Sequence, residues 1–188
     1  MIMKNTKIID IIRQAGQSAF RTQEYVALTQ NPNYAHVQLH RLHQKDIIQI
    51  VRRGWWAFPD AMPEAVACEM SAPAYLSFHT ALHLHGLTTQ PYRKIQLAVA
   101  RNAKKYAALA TPVQEYRVAK NQFRDYEKKD GLLIAKPEKA LADALNVPRS
   151  CPEFIITEVL HQIEPEKIRP YLATTAAQKR LERLTNHA

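Results

Sequence analysis

Residues 32–59 read PNYAHVQLHRLHQKDIIQIVRRGWWAFP, and the fold turns on this stretch. Pro32 suits the first turn of a helix. Ala35, Leu39 and Leu42 then recur at four and three residues, which makes one buried stripe on a helix running to about Lys45. Ile47-Ile48-Gln49-Ile50-Val51 is β-branched and strand-like, Arg52-Arg53-Gly54 reads as a turn, and Trp55-Trp56-Ala57-Phe58 returns as a second strand before Pro59. A helix followed by a basic β-hairpin is the closing half of a winged helix-turn-helix.

The residues upstream supply the opening half. Ile8, Ile9, Ile11, Ile12 and Ala15 fall at helical spacings from Thr6 to Ala15, with Gly16 as a stop. Ala19-Phe20-Arg21 is short and extended in character. Thr22 offers its hydroxyl as the cap of a second helix carrying Tyr25, Val26 and Leu28 and ending by Asn31. Residues 1–60 therefore fit a winged helix-turn-helix DNA-binding domain end to end, with the third helix as reader.

On a helical wheel the side opposite Ala35, Leu39 and Leu42 holds Asn33, Val37, His40, Arg41 and Gln44, flanked by Tyr34, His36 and Lys45. That face carries no carboxylate. Arg pairs with guanine, Asn or Gln with adenine, and Val meets a thymine methyl, so these side chains suit major-groove edges. Arg52 and Arg53, at the wing tip, suit backbone phosphate, which positions the helix without reading sequence.

Composition agrees. The 188 residues hold 26 Lys and Arg against 17 Asp and Glu, a net charge of +9 that draws polyanions. Residues 1–60 hold eight basic and four acidic side chains, and residues 61–188 hold eighteen and thirteen, so the second part could also touch RNA or DNA. Four isolated glycines exclude the glycine-rich phosphate loops of Rossmann and P-loop proteins. Two cysteines, Cys68 and Cys151, cannot form a disulfide framework or a four-thiolate zinc site, and are expected reduced and buried. No signal-peptide core precedes Asp10. Residues 71–92 lack acidic and basic residues but carry His79, His83, His85 and several hydroxyls, which fits a core segment rather than a membrane span. The expected compartment is the cytoplasm.

Residues 61–188 are expected to form a small mixed α+β domain with a helical C-terminal end, making the chain α+β overall. Ala61 to Met70 reads as a connecting helix. Ser77 can cap a helix burying Phe78, Ala81 and Leu82 and ending at Gly86. Strands are expected over Ile95–Val99, near Val113–Val118 and at Leu132–Ile134 after the turn pair Asp130-Gly131. Pro137 opens a helix with Ala140, Leu141, Ala144 and Leu145 inward. The remainder is helical, broken near Pro165 and Pro170, with Leu181 and Leu184 marking an amphipathic terminal helix.

Signs of catalysis are weak. His36, His40 and His43 lie at i, i+4 and i+7, but no third ligand type shares that face, and on a DNA-facing helix imidazole serves as a phosphate or base donor. His79, His83 and His85 suit capping or core hydrogen bonding. Asp125, Glu127 and Lys129, joined by Asp60 or Asp143, are the nearest approach to a magnesium-nuclease set, yet they read as a solvated, turn-like stretch. Glu138 complements the dipole of its helix and does not share a face with Asp143. No nucleophile comes with a base and orienter, so no catalytic residue, metal or cofactor is expected. A small metal-dependent nuclease with a winged-helix targeting module is the alternative.

Three stretches carry a resemblance to a known family: Leu39-His40-Arg41-Leu42-His43-Gln44-Lys45 leading into Val51 to Pro59; Pro73-Ala74-Tyr75-Leu76-Ser77-Phe78-His79-Thr80-Ala81-Leu82 and on to Thr88; and Ala135-Lys136-Pro137-Glu138-Lys139-Ala140-Leu141-Ala142-Asp143-Ala144-Leu145. In this order the chain resembles the AbiEi-type antitoxins of abortive-infection, type IV toxin–antitoxin systems, which have a winged helix and a family-specific C-terminal domain. The resemblance implies an autorepressor that binds double-stranded DNA at promoter inverted repeats and counteracts a nucleotidyltransferase-like toxin acting from the same operon. It places DNA reading on Tyr34 to Lys45, Arg52 and Arg53, and the antitoxic role on the second domain.

Overall fold

The structure, a computed structural model, describes residues 5–186. The chain is α+β and divides into two compact units, one reaching to Met70 together with Ala107–Ala110, the other comprising Ser71–Tyr106 and the residues from Thr111 onward. The division falls ten residues beyond the expected limit at residue 60, because the connecting helix belongs to the first unit.

The first unit runs α1 (Asn5–Gln14), β1 (Ala19–Arg21), α2 (Thr22–Thr29), α3 (Pro32–Gln44), β2 (Gln49–Arg52), β3 (Trp55–Ala57) and α4 (Pro63–Ser71). The three strands form one antiparallel sheet in the order β1-β3-β2. This is the winged-helix arrangement, with β2 and β3 as the wing. Ile8, Ile9, Ile12, Phe20, Tyr25, Ala35, Leu39, Leu42, Ile48 and Phe58 form its core. The stripe of α3 thus lies in this core, as its spacing requires, and the helix packs against α2.

Local chemistry sets the boundaries of α3. The Asn31 side chain accepts the Tyr34 N–H at 3.0 Å, capping the helix before Pro32. At the other end Asp46 adopts a left-handed backbone (φ 54°), and the Ile47 N–H reaches back to the Leu42 carbonyl at 3.0 Å. That closing turn consumes Ile47 and Ile48, so β2 begins at Gln49 rather than at the expected Ile47. Gly54, at φ +79°, makes the tight wing turn.

Thr22 does not cap α2. It is the first helical residue, and its Oγ1 accepts the Trp56 Nε1–H at 2.8 Å, while Glu24 accepts the Arg21 N–H at 3.1 Å. In α4, Glu69 accepts the N–H groups of Ser18 and Ala19, pinning the entry to β1.

The second unit centres on a six-stranded mixed sheet of order β6-β7-β5-β4-β9-β8, all of it in this unit except the last two residues of β6. The strands are β4 (Tyr75–Leu76), β5 (Ile95–Val99), β6 (Lys105–Ala108), β7 (Thr111–Arg117), β8 (Tyr126–Lys129) and β9 (Leu132–Ala135). The helices are α5 (Phe78–Leu84), α6 (Pro137–Asn146), α7 (Glu153–Leu160), α8 (Pro165–Ile168) and α9 (Thr175–Asn186). Every residue of β5 is buried, so this is a central strand, not the half-buried one its alternation suggests. Ala177, Leu181 and Leu184 are the buried side of α9, as its amphipathic pattern requires. Cys68 and Cys151 are free, buried thiols, and burial pushes Cys151 up to about 12.

Two expectations for this unit need correction. Ser77 precedes α5 but makes no cap hydrogen bond; its hydroxyl donates instead to Asp143 Oδ2 at 2.8 Å. The stretch with Glu127 and Lys129, read as a solvated loop, is strand β8, paired antiparallel to β9. Its side chains after Tyr126 are exposed, so on this edge strand the backbone pairing, not an apolar pattern, makes the structure.

Candidate nucleic-acid interface

The carboxylate-free side of α3 faces solvent. Asn33, His36, Val37, His40, Arg41, Gln44 and Lys45 are exposed and Tyr34 is half-buried, while Ala35, Gln38, Leu39 and Leu42 are buried beneath them. Val37 is 50% exposed, an apolar group with no fold role on that side. Arg41, Lys45 and Arg53 have no carboxylate partner among the described residues. Unpaired cations beside amide and imidazole donors are what phosphate and base edges require. The carboxylate of Asp46 lies just past the helix end and is exposed.

The wing extends this surface. Arg52 and Arg53 are both exposed, Arg52 at the end of β2 and Arg53 in the turn. A bulge between Ile50 and Arg52 shifts the register, so Arg52 stands opposite Trp55. On the other side of Trp55 stands Arg21 of β1. The guanidiniums of Arg21 and Arg52 lie 4.9 and 6.0 Å from the Trp55 ring, a cation–aromatic–cation row across the sheet.

Arg21 and the 53% exposed Ile50 were not foreseen as surface features of the wing. The signal for Arg21 lay in the extended Ala19-Phe20-Arg21, but its place depends on pairing with a strand more than thirty residues away.

The three histidines of α3 separate. His43 Nδ1 donates to the Ile48 carbonyl at 3.1 Å and its ring packs edge-on against Trp56, so it fixes the wing to the helix. His36 and His40 are exposed and remain available to a ligand.

Three of the nuclease-type carboxylates are taken up in ion pairs. Asp60 is paired with Arg13 at 3.0 Å, Asp125 with Arg124 at 3.6 Å, and Asp143 with Lys139. Among the described residues no three His, Cys, Asp or Glu side chains are grouped to hold a metal ion.

Two buried ionic clusters in the second unit escaped sequence reasoning. Lys139 and Asp143, one turn apart on α6, are 0% and 1% exposed and paired. Tyr75 and Ser77 donate to the same carboxylate at 3.2 and 2.8 Å. Burial pushes the Asp143 carboxyl up, against the charge of Lys139 and the hydrogen bonds from Lys139, Ser77 and Tyr75. His85 Nε2 donates to the Ala135 carbonyl at 2.8 Å. The second and third stretches of the family resemblance therefore meet in one polar-centred core.

In the other cluster, Glu115 receives Arg101 through two nitrogens at 2.7 and 2.9 Å, the Ser71 hydroxyl at 2.7 Å and the Lys104 N–H at 2.8 Å. Burial alone would raise the Glu115 carboxyl, but these donors and the Arg101 charge outweigh it and hold the carboxyl below its ordinary range.

No protein-family model matches the chain, and no curated protein does. Its fold is similar to the crystal structure of the RV2827C protein from Mycobacterium tuberculosis, with a TM-score of 0.65 at 16% identity over 99% of this chain and 78% of that one. At that identity the likeness shows a shared fold. No helix among the described residues is long and apolar enough to cross a membrane.

Proposed function

We propose that the protein is a DNA-binding transcriptional regulator, an autorepressor and antitoxin of a type IV toxin–antitoxin system acting in the cytoplasm. The observation that carries this reading is the exposed, carboxylate-free side of α3 set beside Arg52 and Arg53 of the wing. In this reading α3 enters the major groove of promoter inverted repeats. Asn33, Val37, His40, Arg41 and Gln44 meet base edges, and Tyr34, His36, Lys45, Arg52 and Arg53 take phosphate. The antitoxic role, with a nucleotidyltransferase-like toxin as counterpart, rests on the family resemblance and falls to the second unit. The chain acts without catalysis, metal or cofactor.

The test is binding to duplex DNA from the chain's own promoter across a salt series. Affinity should be insensitive to EDTA, and the DNA should stay intact with magnesium. Arg52→Ala with Arg53→Ala should weaken binding to every duplex and flatten the slope of log K against log salt by about 0.9 per lost phosphate contact. Arg41→Ala should instead lose about 1–3 kcal/mol of discrimination at one base step. Unchanged binding in both variants refutes the assignment of reader and wing. Magnesium-dependent cutting that Asp125→Ala or Glu127→Ala abolishes would establish the nuclease alternative.

A further inference from the structure

The second unit contains a cleft of about 720 Å³, within the range of small-molecule sites. It lies where the 90–94 segment, the start of β5 and the start of α7 come together. Its floor is built from satisfied buried groups. Gln96, buried on β5, donates through Nε2 to the Ser150 carbonyl at 2.5 Å, and its N–H donates to Thr80 Oγ1 at 3.1 Å. One wall is held by His79, whose Nε2 donates to the Gln90 carbonyl at 3.0 Å. With that proton committed, Nδ1 of the neutral ring is an acceptor. The surrounding segments are thus tied to the sheet before any ligand arrives, which lowers the cost of ordering on binding.

The chemistry of the lining is one-sided. Arg93, Lys94 and Arg149 line the cleft, and no carboxylate does. None of the three cations is ion-paired to a described residue; Lys94 lies 5.9 Å from the Tyr116 ring. Glu153, beside the cleft in sequence, is instead paired with Arg183 at 2.5 Å and Arg180 at 3.5 Å. At the rim Phe154 is 61% exposed, the most exposed large apolar side chain described. Tyr92 also lines the cleft and packs edge-on against His83. An inorganic anion would use the cations and leave Phe154 idle, and an uncharged aromatic would do the reverse. A ligand that uses both carries a phosphate and a flat ring.

We propose that this cleft binds a nucleoside phosphate, free or as an unpaired residue of a strand, with Arg93, Lys94 and Arg149 taking the phosphate and Phe154 stacking on the base. This site is independent of the winged helix, and its ligand is unpaired rather than duplex.

The test titrates the full chain with AMP, with inorganic phosphate and with labelled single-stranded eight-mers of RNA and DNA, measured by calorimetry and fluorescence anisotropy. It is done in the Arg52→Ala/Arg53→Ala background so that the wing contributes nothing. AMP or an eight-mer should bind at least tenfold more tightly than inorganic phosphate. Phe154→Ala should weaken that binding about tenfold or more, as loss of a stacked base requires. Arg93→Ala and Arg149→Ala should each weaken it and flatten the eight-mer salt slope by about 0.7.

These three side chains are exposed, so the variants keep the fold. Binding of AMP identifies a free nucleotide as sufficient, and binding of the eight-mers alone identifies a strand; either supports the proposal. Equal binding of phosphate and AMP, absence of binding by every probe, or binding indifferent to Phe154 and Arg149 overturns it. Duplex binding by the unmodified wing is scored separately, so the two readings fail independently.

Discussion

Replacing Lys139 with Met tests whether the buried pair on α6 holds the second unit together. The variant keeps the length and most of the apolar stem of Lys139 but leaves the Asp143 carboxylate with only Ser77 and Tyr75 as donors. Breaking a buried pair from one side costs about 3–5 kcal/mol, because the remaining charge is uncompensated. Asp143 can escape part of that cost by taking a proton. Burial already pushes its carboxyl up, and without Lys139 the largest opposing pull is gone. The folded variant then holds a proton that the unfolded chain, near pKa ~3.9, releases. Its stability is greatest below that unfolded value and falls as pH rises toward the folded value, by up to about 1.4 kcal/mol per pH unit. Urea unfolding followed by far-ultraviolet circular dichroism at pH 5, 6.5 and 8 should therefore show a deficit against the parent that widens with pH. The double variant Lys139→Met with Asp143→Leu should recover most of the loss, because it removes both charges. A deficit below about 1 kcal/mol at pH 8, or one that does not change with pH, would refute this account.

Other expectations follow from the same contacts. Glu115 has its carboxyl held below the ordinary range, so its contribution is present above the unfolded carboxylate pKa and is lost as pH falls through the folded one. Glu115→Gln should cost about 2 kcal/mol at neutral pH and make the acid limb of the stability profile shallower, read by the same urea series from pH 7 to pH 3. The Tyr25 hydroxyl is buried without a hydrogen-bond partner among the described residues, and burial pushes it up to about 12. Tyr25→Phe should leave stability unchanged or raise it by up to about 1 kcal/mol, monitored by the fluorescence of Trp55 and Trp56 in the same unit; a loss above 1 kcal/mol would show that the hydroxyl is bonded.

The winged helix was legible because its signals are local. Pro32 starts α3, the Ala35-Leu39-Leu42 stripe faces the core, and the β-branched run, Arg53-Gly54 turn and tryptophans make the hairpin within a dozen residues. What stayed hidden depends on distant partners. Strand β4 is two residues long and owes its existence to β5 and β9 on either side. Strand β8 is mostly charged and is a strand only because β9 pairs with it. Lys139 and Asp143 stand at i, i+4, a spacing whose default reading is an exposed helix pair. The contrary sign was present in the neighbours: Ala140, Leu141, Ala142, Ala144 and Leu145 leave little polar surface on that part of the helix, and all are buried.

That difference separates the two kinds of polar residue in the chain. Tyr75, Ser77, Lys139 and Asp143 spend their hydrogen bonds on one another, as do Ser71, Arg101 and Glu115, so the fold accounts for them. Arg41, Lys45 and Arg53 on the first unit, and Arg93 and Arg149 at the cleft, are cations in no described ion pair. No described ion pair calls for charge at those places, whereas the proposed phosphate-bearing partners would. The exposed apolar groups beside them, Val37 on α3 and Phe154 at the cleft, lie where a thymine methyl in one case and an unpaired base in the other would cover them. Each surface thus pairs uncommitted charge with an uncovered apolar group, and the difference in shape, a convex helix against a cleft, is why a duplex groove is proposed for the first and a single nucleotide for the second.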